Sequence, residues 1–238
     1  MLNNKRIDWR DYMNYRKPPH SFRYGLEIFT TQPKFRTLWE EVLGVIEGIT
    51  DEDIIEYFNK YGKYSKSISD TINRLIDQRL ITKGWSRQSY IFNDPTYKIK
   101  KESRWTLDFA KDDISIEVAF NHGEAVAWNL IKPVLASELN HVEKAIQTKA
   151  GIIITATDAL REAGGFDGAV GTYEKYLQYL KPLNNLLTVP MVIIGLEPPE
   201  TFRIDHYKEG GTMVNGKVVG AKTIGGIVRN TDVCQLLS

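Results

Sequence analysis

Hydrophobic side chains recur at helical spacing in the first third of the chain. The first run carries apolar residues three and four positions apart, as an amphipathic helix does: Phe35, Leu38, Trp39, Val42, Leu43 and Ile46. Thr50, followed by acidic residues, predicts the start of a second helix over 51–61. Ser67 or Ser69 opens a third helix, which we expect to extend through Arg79.

Three short helices in this order suit two architectures. They can form a layer packed on a sheet, or a helix-turn-helix. In the second case LITKGW (80–85) and SYIF (89–92) would form the wing of a winged helix, and the chain would be a DNA-binding regulator without catalytic activity. We favour the helical layer because the KGW turn leads towards the hairpin described next.

Later segments have the patterns of β-strands. TLDFAKDDISIEVAF (106–120) predicts two strands joined by a turn. GIIITAT (151–157) and VPMVIIGL (189–196) are short and apolar, as buried strands are. Apolar residues between 126 and 146 predict one long helix or two, with a break or kink at Pro133.

The order of these elements predicts an α/β fold with a mixed central β-sheet flanked by helices. The glycine-rich loop AGGFDGAVG (163–171) leads into a further helix, but it matches neither a P-loop nor a dinucleotide fingerprint. No nucleotide cofactor is therefore expected. Near the end of the chain, NGK (215–217) predicts a hairpin turn.

Two acidic residues in the predicted hairpin carry candidate chemistry. Asp108 would end the first strand, and Glu117 would lie inside the second, next to Ile116 and Val118. A carboxylate on a buried strand is costly unless it is paired or bound to a cation. Two converging carboxylates suit a hard cation such as Mg²⁺. The alternative is that both are solvated charges near strand ends.

This spacing, an Asp and nine positions later Glu-Val on an apolar strand, resembles the active-site hairpin of BglII- and BstYI-type restriction endonucleases of the PD-(D/E)XK nuclease superfamily. INRLIDQRLITKGW (72–85) resembles the helix and turn before that hairpin, and the two apolar strands resemble the later core strands. We therefore expect a single nuclease domain over 1–238. Its parts would be an N-terminal arm and helices (1–71), a catalytic core (72–204) and a basic, glycine-rich hairpin region (205–238).

The resemblance implies a type II restriction endonuclease that makes Mg²⁺-dependent double-strand cuts at a short, palindromic DNA site. Asp108 and Glu117 would be its catalytic residues and metal ligands, and the main-chain carbonyl of Val118 would be a third protein ligand. A homodimer on double-stranded DNA would match the symmetry of such a site. The candidate DNA-binding residues are Asn121, His122, Lys217, Lys222 and Arg229.

One position departs from the pattern of these relatives. The residue two after the Glu is Gln in them, and Lys or Glu more widely in the superfamily, whereas this chain has Ala119. A methyl group can neither polarise water nor bind phosphate. Another side chain would have to orient the water, and we take Gln88 as the candidate, with His122 and Glu124 as the other nearby polar residues. A degenerate nuclease that binds DNA without cutting it is the alternative.

Composition narrows the function less than this motif does. The 238 residues are 42% hydrophobic, enough for one sizeable core, and the net charge of +1 provides no overall basic field for DNA. A single cysteine, Cys234, excludes an intramolecular disulfide and fits a reducing compartment. No apolar run approaches membrane-spanning length, so we expect a soluble cytoplasmic protein. A metal-dependent hydrolase of small phosphoesters stays open as a rival function.

Overall fold

The computed structural model describes residues 12–62, 64–98, 105–138, 141–208 and 214–220. The helices are α1 (Gly25–Thr31), α2 (Pro33–Glu47), α3 (Asp51–Tyr61), α4 (Ser69–Thr82), α5 (Val126–Ser137), α6 (Asp158–Ala163) and α7 (Tyr173–Leu180). The strands are β1 (His20–Phe22), β2 (Ser86–Tyr90), β3 (Thr106–Lys111), β4 (Ile114–Val118), β5 (Ala150–Ala156), β6 (Met191–Leu196), β7 (Arg203–Lys208) and β8 (Val214–Val219).

Six strands form a mixed sheet in the order β1-β6-β5-β4-β3-β2. β4, β5 and β6 run parallel, whereas β1 pairs antiparallel with β6, and β3 pairs antiparallel with both β2 and β4. Every residue of the three parallel strands is buried. Such strands need cover on both faces, which explains their continuous apolar sequences.

Helices cover both faces of this sheet, as the alternation of side chains along β5 requires. Ile152 and Ile154 pack in the apolar cluster that α1, α2, α3 and α4 share, whereas Ile153 packs with α5 and α7. The α/β architecture expected from the sequence is therefore confirmed. None of the helices in the described ranges has the length and apolar character needed to cross a bilayer.

The N-terminal helices form a layer on the sheet. Thr50 caps α3 as predicted, because its hydroxyl accepts from the Asp53 amide at 3.0 Å while the Asp53 carboxylate accepts from the Thr50 amide at 2.9 Å. Arg79 on α4 reaches the same carboxylate at 2.7 Å. The segment after α4 becomes β2 and joins the central sheet beside β3, so it is not the wing of a separate winged helix.

Several local expectations were wrong. Asp108 lies within β3 instead of ending it, and α4 continues three residues past Arg79, to Thr82. The helix α5 runs through Pro133 without the expected break and ends at Ser137. The proline ring packs on β5 at Gly151, where an added Cβ would lie 2.7 Å from the Pro133 Cβ. The NGK tripeptide 215–217 is no turn: it lies inside β8 and pairs along its whole length with β7.

Asp51→Ala is expected to lower the free energy of unfolding by about 1–3 kcal/mol. The Asp51 side chain is buried in the first turn of α3. Its Oδ2 accepts hydrogen bonds from the Thr201 amide at 3.0 Å and from the Thr201 hydroxyl at 2.6 Å. Alanine removes the acceptor shared by these two buried donors. Urea unfolding followed by circular dichroism measures the loss.

Asp70→Ala is the matched control, because Asp70 is an exposed acid in the first turn of α4. We expect it to cost about 0.5 kcal/mol or less. Equal losses in the two variants would contradict the importance of the contact between Asp51 and Thr201.

Candidate active site

Three polar residues form one row across β2, β3 and β4. Continued by one residue, the register of β3 with β4 places Asp108 opposite Glu117. The register of β2 with β3 places Gln88 opposite Asp108. Opposite residues in adjacent antiparallel strands share a face, with Cβ atoms about 4.5–5.5 Å apart. The hairpin therefore brings both carboxylates to one face of the sheet.

Asp108 is held by donors on both neighbouring strands. Its Oδ2 accepts from the Val118 amide at 2.9 Å, and the Gln88 side chain also donates to it. Burial raises the pKa of Asp108, although the charge of Lys132 and these hydrogen bonds favour the ionised form. The side chain still reaches a cavity of about 330 Å³ that Val118 and Asn121 also line.

Glu117 lies deeper than Asp108 and is 1% exposed. Its Oε2 contacts the ammonium group of Lys132, whereas its Oε1 is buried with no hydrogen-bond partner among the described residues. Burial, and then the charge of Asp108, raise the pKa of Glu117 to about 8. Asp108 and Glu117 lie side by side, and the single charge of Lys132 does not balance two carboxylates.

Lys132 is the functional candidate that sequence reasoning missed. It lies on α5, is 6% exposed, and donates to the Thr106 carbonyl at 3.2 Å in addition to its contact with Glu117. A buried lysine is rare unless it is paired. The signal in the sequence was that Lys132 is the only charged residue in VAWNLIKPVLAS, the sequence of α5.

Lys132 also approaches the side of the sheet where Ala119 lies. Glu117 and Ala119 are two positions apart, so their side chains point to the same face. The Ala119 methyl is buried there against α5, in the cluster that contains Val126 and Leu130. The helix therefore supplies a cation on the face where residue 119 supplies only a methyl group.

Of the other predicted site residues, some lie near the two carboxylates and some do not. Gln88 is next to the carboxylates, and its backbone has a left-handed φ of 50°, a conformation that costs energy in a non-glycine residue. Asn121 lines the cavity with Asp108. His122 and Glu124 are exposed, and no described contact joins either of them to the carboxylates.

Of the three basic residues predicted near the C-terminus, the structure describes Lys217, which does not lie at this site. Lys217 is exposed on β8 and lines a separate cavity of about 280 Å³ with Phe58 and Tyr207. Lys222 and Arg229 lie outside the described residues. Their proposed contacts with DNA stay predictions.

The residues present fit a hard divalent cation. Asp108 and Glu117 provide two carboxylates on one face, and Oε1 of Glu117 is available as a buried acceptor. Mg²⁺ prefers such oxygen ligands and keeps several waters, so it needs only one or two carboxylates. Within the described ranges there is no cluster of three or more His, Cys, Asp or Glu residues placed to hold a metal. The fit therefore depends on this pair.

Comparison with known proteins identifies one protein family. A family model described as "Restriction endonuclease BglII/BglIII" matches residues 19–196, well over half of the chain. The crystal structure of restriction endonuclease BglII complexed with a DNA 16-mer is similar with a TM-score of 0.54 and 18% identity, over 87% of this chain and 91% of that chain. At this identity the likeness concerns the fold.

The crystal structure of free BglII is similar with a TM-score of 0.42 and 19% identity, over 87% of this chain and 92% of that chain. No curated protein matches the chain significantly.

We expect Lys132→Met to lower the free energy of unfolding by about 1–3 kcal/mol, because it removes the donor that contacts the buried Glu117 carboxyl group. The double variant Glu117→Gln/Lys132→Met removes both charges together and should recover much of that loss. Denaturant unfolding of the two single variants and the double variant, without added metal, gives the coupling energy directly. Additive losses would show that the two side chains are not energetically coupled.

Proposed function

The chain belongs to the restriction endonuclease BglII/BglIII family, and from this membership we propose that it cuts both strands of DNA at a short, palindromic site in a reaction that depends on Mg²⁺. Membership of the family makes it a type II site-specific deoxyribonuclease. Magnesium, the palindrome and the residues named below are the proposed refinements. Cutting DNA also fits the cytoplasmic location expected from the sequence.

The observation that supports this mechanism most is Oε1 of Glu117, which lies near the charge of Asp108 and has no hydrogen-bond partner in the part of the chain that the structure describes. A buried carboxylate oxygen without a donor is expensive, and a second carboxylate next to it increases the cost. A divalent cation would supply the missing partner. The ligands would be the carboxylates of Asp108 and Glu117 and the main-chain carbonyl of Val118.

Mg²⁺ bound there would make a water molecule more acidic and offset negative charge on the phosphoryl oxygens. Hydrolysis itself needs no covalent intermediate with the protein. Water attacks the phosphorus and gives up one proton to the solvent, the bond from phosphorus to one sugar oxygen breaks, and that oxygen takes up one proton. The protein contributes positioned donors and charges, which in a site shielded from water stabilise charge more strongly than in solution.

Lys132 supplies a positive charge on the face of the sheet where Ala119 supplies only a methyl group. Its ammonium group offsets the negative charge of the buried Glu117, and its contact with the Thr106 carbonyl fixes it to the strand that carries Asp108. Gln88 is a positioning residue: it accepts from the Thr106 hydroxyl at 3.3 Å and donates to Asp108. Together the two side chains hold the carboxylates in one arrangement before DNA binds.

DNA recognition is assigned to residues around this centre. Asn121 lines the same cavity as Asp108, and we propose that Asn121 and His122 contact DNA beside the cleaved bond. Lys217, Lys222 and Arg229 would contact the duplex further away. A two-fold homodimer would present the same surface to each half of a palindrome.

Incubation of the protein with plasmid DNA tests the proposed reaction. We expect discrete fragments with Mg²⁺ and none with EDTA. Asp108→Asn should reduce the rate of cutting by about 10²–10³-fold or more, because it removes a charged ligand. Sequencing of the fragment ends would give the site and show whether it is a palindrome.

Asp112→Asn is the matched control, since Asp112 is an exposed carboxylate in the turn of the same hairpin. It should cut at the wild-type rate. Cutting by Asp108→Asn at the wild-type rate would remove Asp108 from the site, and cutting in EDTA would refute the dependence on metal.

Lys132→Gln tests the role of the buried ammonium group. Glutamine can still donate to Glu117 but has no charge, so we expect the folded variant to bind DNA while kcat falls about 10²-fold. Steady-state kinetics, corrected for the folded fraction, separate kcat from KM. Lys149→Gln changes an exposed lysine that pairs with Asp113 and should behave as the wild type. An unchanged kcat in Lys132→Gln would restrict Lys132 to a structural role.

A further inference from the structure

A second cavity, of about 110 Å³, adjoins Asp108 on the side of α4 and β2. Asp108, Asp70 and Asn73 line this cavity as well as the larger one, so the two meet around the proposed metal ligand. Four polar residues of α4 face it at the spacing of a single helix face: Asp70, Asn73, Arg74 and Asp77. The opposite face of α4 packs in the core.

Arg87 enters this cavity from β2, the strand next to Asp108. Its backbone pairs with Phe109, and its positive charge lowers the pKa of Asp108, against the larger effect of burial. The side chain of Arg87 is 48% exposed. The guanidinium group is thus close to the carboxylate site and can be reached from solvent.

Asp77 holds Arg87 in this position. Its Oδ1 lies 2.9 Å from Nε of Arg87, and the Asp77 side chain is 12% exposed. The contact uses Nε, while Nη1 and Nη2 have no carboxylate partner among the described residues. A guanidinium has five N–H donors, so an arginine fixed through Nε can still donate to a second group.

The chemistry of the open end suits a phosphate. Planar N–H donors match the oxygens of a phosphate better than a single ammonium does. Arg74 brings a second positive charge to the same cavity. Asp77 is neutralised by Arg87, and Asp108 is a proposed metal ligand, so Asp70 is the remaining acid in the lining of this cavity.

We propose that Arg87 binds a DNA backbone phosphate next to the cleaved bond, and that Asp77 is the positioning residue that holds Arg87 for this contact. The inference rests on the DNA cleavage proposed above. It assigns Asp77, a buried acid without a direct part in hydrolysis, to substrate placement. A phosphate contact of this kind carries no sequence information but fixes the register of the duplex.

The salt dependence of DNA binding tests this contact. The probe is a fluorescently labelled duplex that contains the cut site, titrated in EDTA at several KCl concentrations. Each phosphate contact contributes about 0.9 to the slope of log K against log salt. Arg87→Gln should therefore reduce the magnitude of the slope by about 0.9, and Arg87→Lys, which keeps the charge, should retain it.

Two further variants control for changes in folding and in general charge. Asp77→Asn/Arg87→Gln removes both charges, leaves no unpaired buried acid, and should lose as much slope as Arg87→Gln. Arg36→Gln removes an exposed arginine that pairs with Glu40 within α2 and lines neither cavity, so its slope should equal that of the wild type.

Asp77→Asn separates positioning from charge. It keeps the guanidinium, so the slope should stay at the wild-type value, whereas kcat should fall about tenfold because Arg87 is no longer held. A wild-type kcat in this variant would overturn the role of Asp77. If the wild-type protein cuts DNA but Arg87→Gln keeps the wild-type slope, the contact between Arg87 and phosphate is overturned while the proposed function stands. A wild type that neither binds nor cuts DNA would overturn both this inference and the proposed function.

Discussion

The buried contact between Glu117 and Lys132 is the constraint on which the rest of the site depends. A carboxylate on a parallel strand in the middle of the sheet loses its hydration, and this costs several kcal/mol unless a cation lies beside it. Lys132 can reach it only because α5 packs directly on the sheet. That close approach depends in turn on Gly151, where any side chain would collide with Pro133. One glycine in a core strand, one helix and one acid therefore form a single structural unit.

Around this unit, Asp108 and Glu117 each have a positive charge or a hydrogen-bond donor of the protein beside them. Lys132 approaches from one face of the sheet, while Arg87 and the Val118 amide act on Asp108. Even so, Glu117 retains a buried oxygen that has no partner among the described residues, and its pKa is raised to about 8. This deficit of positive charge, beside surrounding groups that are satisfied, is the observation that supports the proposed cation. The chain belongs to the restriction endonuclease BglII/BglIII family, so the proposed cation would serve DNA cleavage.

Local sequence predicted the elements well where a pattern repeated along one segment. The helical spacing from Phe35 to Ile46, the cap at Thr50 and the apolar strands β5 and β6 are local properties, and the structure has each of them.

Local patterns gave wrong predictions where contacts with residues distant in the chain override the conformational preference of a segment. Asn-Gly-Lys is a good turn sequence, but pairing with β7 extends it as β8. Pro133 weakens a helix, yet α5 continues through it while the ring packs on β5. The roles expected for Asp108 and Glu117 came from a motif, and the register of β3 with β4 then placed the two side chains opposite each other.

By itself, the sequence determined the helices α2 and α3, the apolar strands β5 and β6 and the pair of acids on one hairpin, because each of these depends on residues close together in the chain. Only the tertiary structure decided which cations serve that pair. Lys132 is fifteen positions from Glu117, Arg87 is twenty-one from Asp108, and Asp77 reaches Arg87 from a different element. Nothing in local periodicity encodes these contacts, since they arise when α5 and α4 pack around the hairpin. The positive charge beside Glu117 therefore comes from α5, whose one charged residue reaches the acid only in the folded protein.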